Sequence, residues 1–184
     1  MYWKIQKVGP EQLVKTYGLH VLLLASVILN GVLWLSIPKK SMSAETKMGI
    51  DVFARNVTCH LIDSSYITCQ KNLMDLRSEL APDILNRMIQ GKELPANESE
   101  VQGMVRETTE HKRVCSVRID SVKVGDPNAQ SMIPVRVEGV CAIHSADETS
   151  ERNFAFQYLI GTHKDTGNYI IAGWQDMTPQ GQQQ

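Results

Sequence analysis

The sequence predicts an α+β domain held behind a single transmembrane helix, and three observations lead there. Gly18 to Ile37 is a run of twenty residues without Asp, Glu, Lys or Arg. From Ser43 to about His111 apolar residues recur at three- and four-residue steps. From Lys112 onward they recur at every second residue. Helices followed by strands, rather than alternating with them, give helices packed on one face of an antiparallel sheet.

The apolar run is long enough for a helix spanning about 30 Å, the thickness of a bilayer's hydrocarbon core. Tyr17 and His20 stand at its first interface and Trp34 near its second. Pro38 ends it, and Lys39 and Lys40 mark the headgroup region. Tyr17, Trp34, Lys39 and Lys40 are therefore the expected interface anchors. Ser26 and Asn30, four apart with Gly31 nearby, share a face that suits a weak helix contact, or are simply tolerated. A cleaved signal peptide would have a shorter apolar stretch, about 7–15 residues, and a nearby small-residue cleavage site. Here two lysines separate the run from Ser41-Met42-Ser43, so an uncleaved anchor is expected. The chain then divides into a tail (1–17), a span (18–37), a folded domain (38–177) and a disordered end (178–184).

Ser43 or Ser41 can cap a first helix beginning at Ala44-Glu45, with Met48, Val52, Val57 and Leu61 as its apolar stripe. Asp63-Ser64-Ser65 breaks it, and a second helix carries Tyr66, Cys69, Leu73, Leu76 and Leu80. Pro82 suits the first turn of a short third helix with Ile84, Leu85, Met88 and Ile89. After a loop punctuated by Gly91 and Pro95, a fourth helix follows Asn97 and presents Val101, Met104 and Val105.

In the strand half, residues 112–124 place Cys115, Val117 and Ile119 on one face and Ser116 and Arg118 on the other. The alternation slips at Asp120-Ser121, which predicts a bulge. Gly125 to Asn128 signals a turn. Residues 132–143 and 152–161 follow, with Asp147-Glu148 between them, and Thr166 to Asn168 precedes the closing strand from Tyr169 to Gln175. Four strands with short connections read as a meander with one buried face.

All four cysteines, Cys59, Cys69, Cys115 and Cys141, follow the apolar run. A turn centred near Asn128 would set Ile119 against Val137, Val117 against Gly139, and Cys115 against Cys141. A cross-strand disulfide fits that register. Cys59 and Cys69, ten apart, would then form a second bridge. Four cysteines allow three connectivities, and all four also suit the core as small apolar residues. If bridged, they put the domain in an oxidising compartment, periplasmic or extracellular, with the amino-terminal tail cytoplasmic. Lysines do not decide orientation: three precede the run and Lys39, Lys40 and Lys47 follow it.

Beyond Ile37 there are sixteen Lys+Arg against nineteen Asp+Glu, since Lys4, Lys7, Lys15 and Glu11 lie before it. That balance gives no electrostatic case for direct nucleic-acid binding. There is no Cys-x-x-Cys, no His pair at ligand spacing, no phosphate loop and no nucleophile elbow. No metal, no cofactor and no catalytic residue is therefore expected. Asp120, His144 and Tyr158 are the acid–base groups an enzyme of this fold class would draw on. The charge run from Arg106 to Arg113 suits a solvated face or a contact patch. Two glycosylation-type tripeptides, at Asn56 and Asn97, leave open a eukaryotic single-span glycoprotein.

Certain stretches resemble a known family. Val52 to Met88, VFARNVTCHLIDSSYITCQKNLMDLRSELAPDILNRM, has its helix, break, helix, proline break and short helix. Arg136-Val137-Glu138-Gly139-Val140, then Phe154 to Ile160 (FAFQYLI) and Gly173-Trp174, resemble its strands. The family is the TraE-like inner-membrane assembly factors of bacterial type IV secretion and conjugation systems, the eighth component of the VirB set. The resemblance implies a nuclear-transport-factor-2-like periplasmic domain on a single-pass inner-membrane anchor. It further implies a structural subunit that self-associates and contacts other channel and pilus-assembly subunits. The cysteines depart from the family pattern, so the resemblance says nothing about disulfides. A single-span regulator of another membrane complex is the alternative.

Overall fold

The computed structural model describes residues 42–179, apart from 148 and 164, together with residues 20 and 22–30. The chain falls into two units, Met1–Ser41 and Met42–Gln184. In the first, residues 22–30 are helical, and Leu22, Leu23, Leu24, Val27, Ile28 and Leu29 are all uncovered. Among the described residues no helix is long and apolar enough to cross a membrane. Half of the expected span, and the anchors Tyr17, Trp34, Lys39 and Lys40, lie outside the described residues.

The second unit is α+β. Helix α1 runs Ala44–Ile62, α2 Cys69–Glu79, α3 Pro82–Gln90 and α4 Glu98–Glu110. Strands β1 (Val114–Val124), β2 (Ile133–His144), β3 (Thr149–Thr162) and β4 (Tyr169–Asp176) form one antiparallel sheet in the order β1-β2-β3-β4. The expected meander is present.

Local chemistry explains the helix ends. The Ser43 hydroxyl accepts the Thr46 N–H at 3.1 Å, and the Asn97 side chain accepts that of Glu100 at 3.0 Å. Each satisfies a donor that the first helical turn leaves unpaired. Pro82 occupies the first turn of α3, where its missing N–H costs nothing.

The phase of α1 differs from the expected stripe. Ile50, Ala54, Val57 and Ile62 face inward, whereas Met48 and Val52 are 69% and 51% exposed. At 100° per residue, Val57 and Leu61 lie in line with Ile50 and Ala54, while Met48 and Val52 fall on the opposite side. Tyr66 likewise precedes α2 instead of belonging to it, and is 39% exposed.

The helices cover the sheet face that carries Val135, Val137, Cys141, Phe154, Phe156, Tyr158, Ile160 and Ile171. Ile50, Leu76 and Val101 meet them with 0–1% exposure. Each such side chain contributes about 1.5–3 kcal/mol relative to exposure. A polar contact crosses this core between α1 and β3. The Thr58 hydroxyl donates to the Ala54 carbonyl at 2.7 Å, which leaves Tyr158 to donate its own hydroxyl to Thr58 at 3.0 Å. Burial drives the Tyr158 phenol well above its ordinary value.

The bulge lies where the alternation slips, between Ile119 and Ser121. It returns Val122 and Val124 to the buried face after the slip. The register, however, is two positions from the expected one. Ile119 faces Gly139, Val117 faces Cys141, and Cys115 faces Ile143. The reason is the turn: Gly125 pairs with Pro134, and Asn128 organises a second turn by accepting N–H groups from Gln130 and Met132. The connection is wider than a tight turn at Gly125–Asn128, so its centre moves toward β2.

Segments of the helical half bracket both outer strands. The Tyr66 N–H donates to the Arg113 carbonyl beside β1. Leu80 forms a parallel bridge with Ile171, and the Ala81 N–H donates to the Ile171 carbonyl of β4. Part of each edge is thus denied to other chains. At the far end, the Met177 N–H donates to the Ala155 carbonyl and the Thr178 hydroxyl accepts the Ala155 N–H. Residues 180–184 lie outside the described residues.

Candidate functional site

The most concentrated chemistry lies where the α1–α2 turn meets the start of β1 and the end of β2. Asp63 builds this turn. Its carboxylate accepts the Ser65 N–H at 2.9 Å, the Ser65 hydroxyl, the Thr68 hydroxyl at 2.9 Å and the Asn72 amide at 3.1 Å. Asn72 also donates to the Asp63 carbonyl at 2.9 Å. Burial pushes the Asp63 carboxyl up, but the hydrogen bonds from Ser65, Thr68 and Asn72 outweigh it and hold the group below its usual range.

Ser65 then accepts the Cys115 N–H at 2.7 Å. This bond fixes the start of β1 against the turn and sets the position of the Cys115 side chain. Its sulfur lies 3.1 Å from that of Cys141 and 3.6 Å from the Ile62 carbonyl oxygen. The two cysteines are diagonal neighbours, because Cys141 is paired with Val117 and Cys115 with Ile143. The sequence predicts a direct pairing of these two residues; the structure brings them together through a diagonal one.

The two sulfurs are unequal. Cys141 is fully buried and Cys115 only partly so. The hydrogen bond from Cys141 holds the Cys115 thiol below its ordinary value, at about 7, against the opposing effect of burial. The same contact, with burial, drives Cys141 far upward. Arg152, opposite Cys141 in the β2–β3 pairing, favours the thiolate at both.

Cys59 and Cys69 are not joined: no sulfur contact connects these two described residues. Burial raises the Cys59 thiol, with the Asp63 charge adding to it and Arg55 opposing. Burial also raises Cys69, partly offset by a hydrogen bond with Thr108. All four cysteines carry free thiols in this structure.

Asp120, His144 and Tyr158 do not converge. Asp120 sits in the exposed bulge, 2.9 Å from Arg118. His144 ends β2 and contacts Thr149 at 3.3 Å. Tyr158 is sealed inside the core. Among the described residues no group of three or more His, Cys, Asp or Glu is arranged to hold a metal.

The sheet face away from the helices is polar. Arg118, Ser121 and Lys123 of β1 align there with Arg136 and Glu138 of β2 and Gln157 of β3. Arg136 and Glu138 pair at 2.7 Å and Ser121 donates to Glu138 at 3.1 Å. Such exposed pairs are screened by solvent and add little to stability. Two shallow clefts of about 300 and 310 Å³ share Gln157: Lys123 and Arg136 line the first, Arg87 and Trp174 the second. Between α1 and α2, His60 contacts Glu79 at 2.9 Å, and burial raises Glu79 despite that contact.

Sequence reading missed Arg152 and the Ser65 bond to Cys115. The signal for the second was present, since Asp followed two residues later by Ser is an Asx-turn pattern. Nothing local marks Arg152.

The Asp63 turn gives a direct prediction. Asp63→Ala removes the acceptor from four donors and should cost about 1–3 kcal/mol in a urea melt. Because Asp63 has a lower pKa folded than unfolded, its contribution is complete above the ordinary carboxylate value of 3.8 and is lost as pH falls through the folded value. Asp63→Asn should flatten that acid limb of the stability profile.

The fold and site define a class: a small α+β domain with a helix-covered meander, a polar outer face and a paired thiol site. No family model and no curated protein sequence matches the chain. Among solved structures, the chain is similar to the periplasmic domain of DotI, with a TM-score of 0.52 and 11% identity over 74% of this chain and 97% of that one. It also aligns with the intermembrane space region of the chloroplast protein ARC6, at 13% identity over 75% and 98% of the two chains. That TM-score is 0.34, too low to support an argument. At 11% identity the DotI likeness establishes a shared fold.

Proposed function

We propose that this chain is a membrane-anchored structural subunit of a type IV secretion system, with its folded domain in the periplasm. The observation that carries the reading is the fold likeness to the periplasmic domain of DotI, a type IV secretion component, over nearly all of that domain. Two independent features support it. The sequence stretches from Val52 to Met88 and from Arg136 to Trp174 resemble the TraE-like assembly factors of the same class of machine. The apolar residues of 22–30 are uncovered, as a lipid-facing helix requires.

In this reading the nuclear-transport-factor-2-like domain catalyses nothing. The anchor holds it beside other anchored subunits, which raises their effective concentration and lets weak contacts become productive. Self-association and contact with channel and pilus-assembly subunits would use the polar sheet face and the outer surface of α1. Conjugative DNA transfer is the machine's task, and the domain itself makes no contact with nucleic acid.

Chemical crosslinking in native membranes, followed by mass spectrometry, tests this. The expected result is recovery of homo-oligomers together with secretion-channel or pilus components. Recovery of the monomer alone, or extraction of the full chain by alkaline carbonate, would overturn it. A carboxyl-terminal reporter active only in the cytosol would overturn the orientation.

A further inference from the structure

We propose that Cys115 and Cys141 form a redox-active pair that closes into a cross-strand disulfide between β1 and β2. In this pair Cys115 is the entry sulfur and Cys141 the resolving one. The geometry of the pair is independent of the secretion reading, which bears only on the compartment in which the pair is oxidised.

The sulfurs are 3.1 Å apart, about 1 Å beyond a covalent bond, on side chains of one sheet face. Each strand is held in place: Cys115 by Ser65 at 2.7 Å, and Cys141 by pairing with Val117 and Arg152 on either side. Closure therefore needs only small side-chain rotations. Exposure sets the order of events. An external disulfide can reach the partly exposed Cys115 but not the fully buried Cys141.

The chemistry is thiol–disulfide exchange with a low-molecular-weight or protein disulfide as oxidant. The Cys115 thiolate attacks one sulfur of that disulfide, forming a mixed disulfide and expelling the first thiolate. The Cys141 sulfur, having lost its proton to solvent, attacks the Cys115 sulfur and expels the second. The domain loses two protons and two electrons, and the oxidant is reduced to two thiols. The bond would lock the edge strand β1 to β2 across the wide turn and the bulge. Arg152, the cation beside the pair, is poised to steady the thiolate at each step.

The full chain, purified in detergent under reduction, should be exposed to oxidised glutathione, quenched with an alkylating agent and digested with trypsin. Cleavage after Arg113, Arg118, Arg136 and Arg152 puts Cys115 and Cys141 on separate peptides, VCSVR and VEGVCAIHSADETSER. Cys59 and Cys69 remain together on NVTCHLIDSSYITCQK. The expected product is VCSVR linked to VEGVCAIHSADETSER, two hydrogens lighter than the sum. Oxidation should also raise the melting temperature of the domain by roughly 10 °C, reversibly on reduction.

Cys141→Ser should stop at a glutathione adduct on Cys115, and Cys115→Ser should leave Cys141 unmodified while folded. Two separately alkylated peptides from the oxidised wild type, or linkage of either one to NVTCHLIDSSYITCQK, would overturn the proposal. That result needs no variant and leaves the secretion reading untouched. A glutathione adduct on Cys141 in folded Cys115→Ser would overturn the assigned order of attack.

Discussion

Gly139→Ala should unpair β1 from β2 and destabilise the domain by about 3 kcal/mol or more, lowering its melting temperature by roughly 10 °C. A Cβ at this position would lie 2.2 Å from the Arg118 carbonyl oxygen, 2.7 Å from the Phe154 ring and 3.0 Å from the Ile119 Cα. The ring can rotate. The backbone of β1 cannot withdraw without breaking its ladder, because Ile119 faces Gly139 immediately before the bulge. The bulge brings the β1 backbone over this site, so only a residue without a side chain fits. Circular dichroism melts would check the loss. A melting temperature within 2 °C of wild type would mean that the strands do not approach as described. Gly103 is the control: a Cβ there meets nothing within 4 Å, and Ala at a helix interior should be neutral or stabilising.

Tyr158→Ala should cost about 3–5 kcal/mol, whereas Tyr158→Phe should cost about 1 kcal/mol. The ring is 1% exposed and stands edge-on to Phe156, with centroids 6.2 Å apart. Removing it leaves a cavity under α1 and strands Thr58 without its donor. Removing only the hydroxyl keeps the packing, and Thr58 still donates to the Ala54 carbonyl. The gap between the two variants therefore separates packing from hydrogen bonding, and chemical denaturation of both reads it directly. Similar losses for both would locate the stabilisation in the hydroxyl instead.

Much of the fold was legible in the sequence because its signals are local. Ser43 and Asn97 announced helix starts with their own side chains, and Pro82 announced α3 through its fixed backbone angle. The slip at Asp120-Ser121 announced the bulge, since a period of two cannot change phase without an extra residue. The stripe on α1 is not legible in the sequence because Met48 and Val52 are apolar without facing the core. The candidate site was legible only in part. Alternation places Cys115 and Cys141 on one face, but it predicts a direct pairing where the structure has a diagonal one, and it gives no place to Ser65 or Arg152. The acid–base candidates Asp120, His144 and Tyr158 were residue types without a shared location, and the structure sets them apart.

The order of helices and strands, the caps, the bulge and the buried sheet face are all written in local sequence. Each depends on residues within one or two turns of each other. The hairpin register, the inward face of α1 and the meeting of the Asp63 turn with the cysteine pair emerge only in the assembled fold. These depend on how distant segments fill space together. The wide turn organised by Asn128 displaces the register by three residues and the bulge takes one back, and the net shift of two turns facing cysteines into diagonal neighbours still within reach of one another.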